Sequence, residues 1–300
     1  MTEKQAHIVE VGPRDGLQYE QPVPLQAKIR LIEQLIEAGV RYIEAGSFVS
    51  PKRVPQMADT AEVLNQLKRH DQVTYCTLTP NLKGLELAQA HQVKEIAVFA
   101  SASEDFSQRN LNCSIAESIA QFTEVIHQAK AYGMQVRGYV SCVLGCPHEG
   151  RIEPQQVIDV AKQLYDQGCY QISLGDTIGV GTANQARQLV QSLSSVIPVT
   201  DLALHFHDTY GQALSNICAC LDLGVRTFDS SVAGLGGCPF AEGASGNLAT
   251  EDLVYCLEGQ GLSTGLNLHQ LIQAGDAICQ VLQKRNQSKV AQALRHKINI

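Results

Sequence analysis

Short apolar runs alternate with longer segments of helical period along almost the whole chain. The runs are His7–Val11, Arg41–Ala45, Val73–Leu78, Glu95–Ala100, Gln135–Ser141, Tyr170–Leu174, Leu202–Phe206 and Thr227–Ser231. Runs this short, bounded by turn residues, read as strands. Between them, apolar residues recur at helical spacing, for example over Leu25–Ala38, Ala58–Lys68, Ile115–Ala131, Pro154–Gln167, Asn184–Val196 and Ala213–Leu223. Glycine stands just past four of these segments, at Gly39, Gly133, Gly168 and Gly224, where it suits a left-handed helix cap. Pro154 opens its helix where a missing N–H costs nothing. Eight strand–helix units before residue 232 predict a parallel sheet with right-handed crossovers. A count of eight favours a closed barrel over an open doubly wound sheet, and no GxGxxG follows the first strand. The expected fold class is α/β, a (β/α)8 TIM barrel with extra C-terminal helices at Leu266–Leu282 and Ser288–Arg295. No linker divides the chain, so residues 1–300 are expected to form a single barrel domain, with roughly residues 260–300 as a helical extension.

Composition narrows the function class. A chain of 300 residues with 44% hydrophobic and 18% charged residues can bury a sizeable core, which excludes wholesale disorder. Lys and Arg total 23 against 30 Asp and Glu, a formal net charge of −7. Neither nucleic acid nor an anionic membrane is an expected partner for such a chain, and any anionic ligand must be met by a local cationic site. No stretch approaches the ~18 unbroken apolar residues of a membrane helix. The first residues, MTEKQAHIVEVG, lack a basic start followed by an apolar core. Ten cysteines lie mostly among apolar neighbours, and the close pairs Cys142/Cys146 and Cys218/Cys220 have no second pair at zinc-finger spacing. Buried reduced thiols in a cytoplasmic protein are the expectation.

In a barrel of this kind the chemistry gathers at the C-terminal ends of the strands. The first strand ends in Gly12-Pro13-Arg14-Asp15-Gly16, the second in Glu44-Ala45-Gly46-Ser47, and the sixth is followed by Gly175-Asp176-Thr177. The seventh ends in His205-Phe206-His207-Asp208. On a strand, the i, i+2 spacing puts both imidazoles on one face, about 7 Å apart at Cα. They can converge on one metal ion or form a hydrogen-bonded interior pair. Asp15, on the strand that adjoins the eighth in a closed barrel, offers a hard anionic ligand or a cap for the following loop. Arg14 can stabilise a carboxylate, a thioester oxygen or an enolate, or pair with Glu44 or Asp176, and the roles can coexist. Glu44 and Asp176 are better placed to orient neighbours than to react. Residues 234–247, GLGGCPFAEGASGN, hold five glycines around one cysteine. An exposed thiol invites oxidation, so Cys238 suggests either a use or a fortuitous surface cysteine. Asn247 closes the loop as a helix N-cap or, if it points inward, as a metal ligand.

Beyond these local signals the sequence resembles the 3-hydroxy-3-methylglutaryl-CoA lyase family. The matching stretches are VGPRDGLQYE (11–20), IEAGSFVSPKRVPQMADT (43–60), GYVSCVLGCPHEG (138–150), SLGDTIGVGT (173–182), HFHDTYGQAL (205–214) and DSSVAGLGGCPFAEGASGNLATEDLVY (229–255). RDG and HxH are shared with isopropylmalate and homocitrate synthases and pyruvate aldolases, whereas the GLGGCPFAEGASGN loop is far more specific to the lyases. The resemblance implies a divalent cation, Mg2+ or Mn2+, held by Asp15, His205, His207 and Asn247. It implies catalytic roles for Arg14 and Cys238, with Glu44 and Asp176 in support. The implied reaction is cleavage of 3-hydroxy-3-methylglutaryl-CoA to acetoacetate and acetyl-CoA in leucine degradation. His205 or a water at the metal is the candidate base for the C3 hydroxyl. Tyr19 stands where the family usually has Asn, and His148 where Tyr is common, both toward the acyl or CoA region. A lyase for a longer 3-hydroxy-3-alkylglutaryl-CoA is therefore the nearest alternative, and a superfamily aldolase or acyl-CoA synthase a more distant one. A cytoplasmic enzyme, forming a homodimer or higher homo-oligomer, completes the expectation.

Overall fold

The eight apolar runs are eight strands. In a computed structural model, which describes residues 4–237 and 246–298, they are β1 (His7–Glu10), β2 (Tyr42–Ser47), β3 (Thr74–Leu78), β4 (Glu95–Ser101), β5 (Gln135–Ser141), β6 (Gln171–Asp176), β7 (Leu202–Phe206) and β8 (Thr227–Ser230). All neighbours pair in parallel in sequence order, and β1 pairs with β8 (Val9 opposite Asp229, Glu10 opposite Ser230), so the barrel is closed. The helices on its outside are α1 (Leu25–Glu37), α2 (Thr60–Gln66), α3 (Leu82–Ala90), α4 (Glu104–Leu111), α5 (Ile115–Ala131), α6 (Pro154–Gln167), α7 (Ala183–Leu193) and α8 (Ala213–Cys218). Then follow α9 (Thr250–Gly259), α10 (Leu268–Val281) and α11 (Lys289–Ile298). Among these, α10 packs on α1 and α11 on α9. No helix among the described residues is long and apolar enough to cross a membrane.

Local chemistry explains the boundaries. Gly39, Gly133, Gly168 and Gly224 all take positive φ, between 75° and 112°, as helix exits require. Capping boxes open α5 (Ser114 with Glu117) and α7 (Thr182 with Gln185). Several expected helices are shorter than their apolar period: α2 keeps only Thr60–Gln66, α7 stops at Leu193, α10 begins at Leu268, and the segment Ala213–Leu223 divides into α8 and a 3-10 turn over Leu221–Leu223. The short helices α3 and α4 were not singled out by periodicity, because LKGLELAQA is broken by a glycine and EDFSQRNL has only two large apolar residues. Their caps do announce them: Asn81 accepts from the Gly84 amide and Ser103 from the Phe106 amide. A bulge in β2 between Glu44 and Gly46 lets α2 approach closely. A Cβ on Gly46 would lie 2.6 Å from Thr60 Oγ1.

The barrel interior is polar to an extent the apolar runs do not announce. Arg137 and Tyr139 of β5, Gln171 and Ser173 of β6, and Thr227 and Asp229 of β8 alternate inward and are all buried. Gln171 donates to Thr227 Oγ1 (3.2 Å) and accepts from Arg137 Nε (2.9 Å). Arg137 in turn forks onto Asp229 (2.6 and 3.0 Å). A buried hydrogen-bonded column thus climbs the barrel axis toward the C-terminal mouth.

Candidate metal centre at the mouth of the barrel

Beyond β1 the chain forms a π-helical turn, Gly12–Gly16, whose five residues are all buried. Its glycines are steric necessities: a Cβ would stand 2.6 Å from Glu10 Oε1 at Gly12 and 2.6 Å from Ser231 Oγ at Gly16. Glu10 fastens this turn to the exit of β8. Its Oε1 accepts from the Gly12 and Val232 amides (2.8 and 2.9 Å) and its Oε2 from Thr250 Oγ1 (2.6 Å). Burial pushes the Glu10 carboxyl up to about 7 despite these bonds. The turn delivers Asp15 opposite His205 and His207, and the ligating atoms of the three lie within 4.8 Å of one another, all buried. Asn247, bridged to His207 through the backbone, donates from Nδ2 to Asp15 Oδ2 at 2.8 Å. It does not cap α9, whose N-cap is Ala249. All four residues expected to hold a metal therefore meet.

The electrostatics prepare them for a cation. Burial alone would raise the Asp15 carboxyl, but the Arg14 guanidinium and the two imidazoles outweigh it and hold the carboxyl below its ordinary value. Burial, with His205 beside it, pushes the His207 imidazole down to about 4, so it is neutral near pH 7 and has a lone pair to give. Its Nδ1 is buried without a hydrogen-bond partner among the described residues. An orphaned imidazole nitrogen beside a carboxylate and a second imidazole fits a divalent cation.

Arg14 resolves into a buried double ion pair. It reaches Glu44 Oε2 through Nε (2.6 Å) and Nη2 (2.5 Å), and Asp15 Oδ1 through Nη1 (2.6 Å). Of its two expected partners, Glu44 is the one it pairs with. Burial raises the Glu44 carboxyl even against Arg14, and Glu44 Oε1 has no partner among the described residues. Asp176, at the end of β6, is pushed up to about 6 by burial and accepts from the Gly181 amide at 2.9 Å. Cys238 lies outside the described residues. The two ends of its loop are placed at the mouth: Gly246 N–H donates to Gly236 O (3.3 Å), Asp208 N–H to Gly246 O (2.7 Å), and Asn247 Nδ2 to Leu235 O (3.2 Å).

Sequence reasoning passed over Asp229, whose Oδ2 lies 3.2 Å from His205 Nδ1. Burial would raise this carboxyl, but Arg137 and His205 hold it well below the carboxylate range. The available signal was a charged residue inside an apolar strand, Asp229 in β8, with a second, Arg137, inside β5.

The profile of the HMGL-like family matches residues 5–278. The mitochondrial hydroxymethylglutaryl-CoA lyase of Bos taurus is 59% identical over 291 residues, covering 97% of this chain and 90% of that protein. A Pseudomonas aeruginosa protein named 3-hydroxy-3-isohexenylglutaryl-CoA/hydroxy-methylglutaryl-CoA lyase is 56% identical and covers 97% of both. The crystal structure of a hydroxymethylglutaryl-CoA lyase from Pseudomonas aeruginosa superposes with a TM-score of 0.96 at 56% identity, covering 98% of each chain.

Proposed function

This chain belongs to the HMGL-like family, and on that premise we propose that it is a metal-dependent carbon–carbon lyase that cleaves 3-hydroxy-3-methylglutaryl-CoA to acetoacetate and acetyl-CoA. The observation that carries the reading is the convergence of Asp15, His205 and His207, with Arg14 beside them, at the C-terminal mouth of a closed barrel. Asp15, His205, His207 and Asn247 would hold a divalent cation, which supplies Lewis-acid polarisation of the substrate oxygens. Oxygen-rich ligation with two imidazoles suits Mg2+ or Mn2+.

The protein's own groups supply the rest. Breaking the C2–C3 bond sends its electron pair into the thioester, as the enolate of acetyl-CoA. The Arg14 guanidinium, held rigid by Glu44 and Asp15, stabilises that negative oxygen. Cys238 delivers a proton to the enolate carbon and recovers one from the proton released by the C3 hydroxyl. Asp176 and Glu44 orient the mouth rather than react. Between the two roles open to His205, its Nδ1 contact with Asp229 favours the ligand over the base.

Leucine degradation is the setting this reaction fits. A reducing cytoplasm suits the buried thiols Cys169, Cys220 and Cys279, each pushed up to about 12 by burial and therefore inert. A homodimer or higher homo-oligomer remains part of the proposal. The name of the Pseudomonas aeruginosa relative favours one second reading, a lyase that also takes a longer 3-hydroxy-3-alkylglutaryl-CoA. The deciding experiment is acetyl-CoA release from both thioesters with and without chelator. Release of acetyl-CoA and acetoacetate that stops on chelation and returns with Mg2+ or Mn2+ supports the proposal. Undiminished release in metal-stripped protein overturns the role of the metal, and no release in metal-replete protein overturns the function.

A further inference from the structure

Building on that reading of the site, we infer that Asp229 is a positioning residue that fixes the ring orientation and tautomer of His205, reserving Nε2 for the metal and closing the ring to general-base duty. The two nitrogens of His205 face different worlds. Nδ1 lies 3.2 Å from Asp229 Oδ2, inside the barrel, while Nε2 lies 3.8 Å from Asp15 Oδ2, toward the cation-binding cluster. Asp229 has no freedom to be anything but an acceptor. It is fully buried, Arg137 donates to both its oxygens (2.6 and 3.0 Å), and Ser173 Oγ donates to Oδ2 at 2.8 Å. A carboxylate paired in this way with a guanidinium accepts only. Nδ1 must then carry the hydrogen, and a neutral imidazole with hydrogen on Nδ1 has its lone pair on Nε2.

The column beneath makes this orientation rigid. Arg137 is itself anchored by Gln171 Oε1 (2.9 Å) and the Tyr139 hydroxyl (2.8 Å). The Tyr139 ring meets the His205 ring edge-on, 5.8 Å between centroids at 85°. The imidazole is held in plane by an acceptor at one nitrogen and against its side by an aromatic ring. With Nδ1 donating to Asp229 and Nε2 committed to the cation, His205 keeps no nitrogen to receive the C3 hydroxyl proton. That duty falls to another group.

The test begins with the metal-free protein as it exists. Two-bond 1H–15N correlation spectroscopy of protein labelled at its histidines reads each tautomer directly, with the His205 signals assigned by their absence in His205→Gln. The expected result is the Nδ1–H form; an Nε2–H form at neutral pH overturns the inference whatever any variant does. Asp229→Ala then removes the acceptor. Free Mn2+, followed by electron paramagnetic resonance, should show about 10- to 100-fold weaker binding, the usual cost of losing a partner that orients a ligand. Saturating Mn2+ should restore most of kcat. Unchanged Mn2+ affinity with lost turnover would assign Asp229 some other role and also overturn the inference. Because removing Asp229 strands the Arg137 charge, the variant's circular dichroism is compared first; if it does not fold, the wild-type tautomer decides. Both the tautomer and Mn2+ binding are read without substrate, so a failure of the proposed lyase activity is distinguishable from a failure here.

Discussion

At the scale of single residues, Arg14 is the clearest candidate for a group whose value is realised as charge develops. Its fork holds two carboxylates and faces the mouth. Arg14→Lys keeps the charge but loses the fork, so kcat should fall about 10²- to 10³-fold with only a modest change in KM. Steady-state kinetics checks this, and a loss confined to KM would make Arg14 a binding residue. Cys238→Ser should retain Mn2+ affinity and lose most turnover, because a hydroxyl is a far weaker acid than a thiol. Iodoacetamide should label Cys238 in step with lost activity, and a non-cleavable substrate analogue should protect it. Wild-type turnover by the Ser variant would remove the thiol from the proton path. Legibility differs residue by residue. Asp15, His205 and His207 stood out in the sequence because strand spacing and strand ends are local properties. Asp229 did not, because its meaning lies in partners 92 and 24 positions away, Arg137 and His205.

At the scale of elements, α9 is pinned to the exit of β8 through a buried carboxyl. Glu251 accepts from the Ala233 amide at 2.9 and 3.1 Å, where the backbone takes a left-handed φ of 60°, and from Asn286 Nδ2 at 3.4 Å. Burial pushes the Glu251 carboxyl up to about 8. A carboxyl whose folded pKa is raised favours its protonated form in the native state. This group's contribution to stability is therefore intact at pH 4 and falls as pH rises through about 4.5 to 8, by a few kcal/mol in all. Glu251→Gln keeps an acceptor for Ala233 and cannot ionise, so its Tm should fall less than that of wild type between pH 5 and pH 8. Thermal melts of both proteins across that range check the sign, and parallel pH profiles would refute it. The element boundaries follow the same division as the residues. Helices with a long apolar stripe, such as α5 and α6, were legible to the residue, whereas α3 and α4 are held by caps and tertiary contact more than by periodicity.

At the scale of the whole molecule, the barrel is closed by backbone ladders and a side-chain column of Arg137, Asp229, Gln171 and Thr227, none of them a residue that would hold the cation, so metal removal should abolish turnover without unfolding the chain. Binding to the folded state alone should still stabilise it. Mn2+ at about a hundred times its Kd adds about 2.7 kcal/mol, a Tm rise of a few degrees for a chain of this size. Differential scanning calorimetry with and without Mn2+ checks this, and an unmoved Tm would count against a built metal site. The sequence by itself determined the strand–helix alternation, the count of eight and the clustering of catalytic residue types at one end of the strands. These follow from periodicity, glycine exits and the direction of parallel strands. Only the tertiary structure decided which carboxylate Arg14 pairs with, that Asn247 turns inward to Asp15 rather than capping α9, and that His205 is backed by Asp229. Each of those outcomes depends on closure of β8 onto β1 and on a polar interior shared by β5, β6 and β8. The reason is physical: a strand's own sequence fixes which side chains share a face, but only the closed barrel fixes which side chains from other strands they meet, and a buried charge takes its role from the partner it meets there.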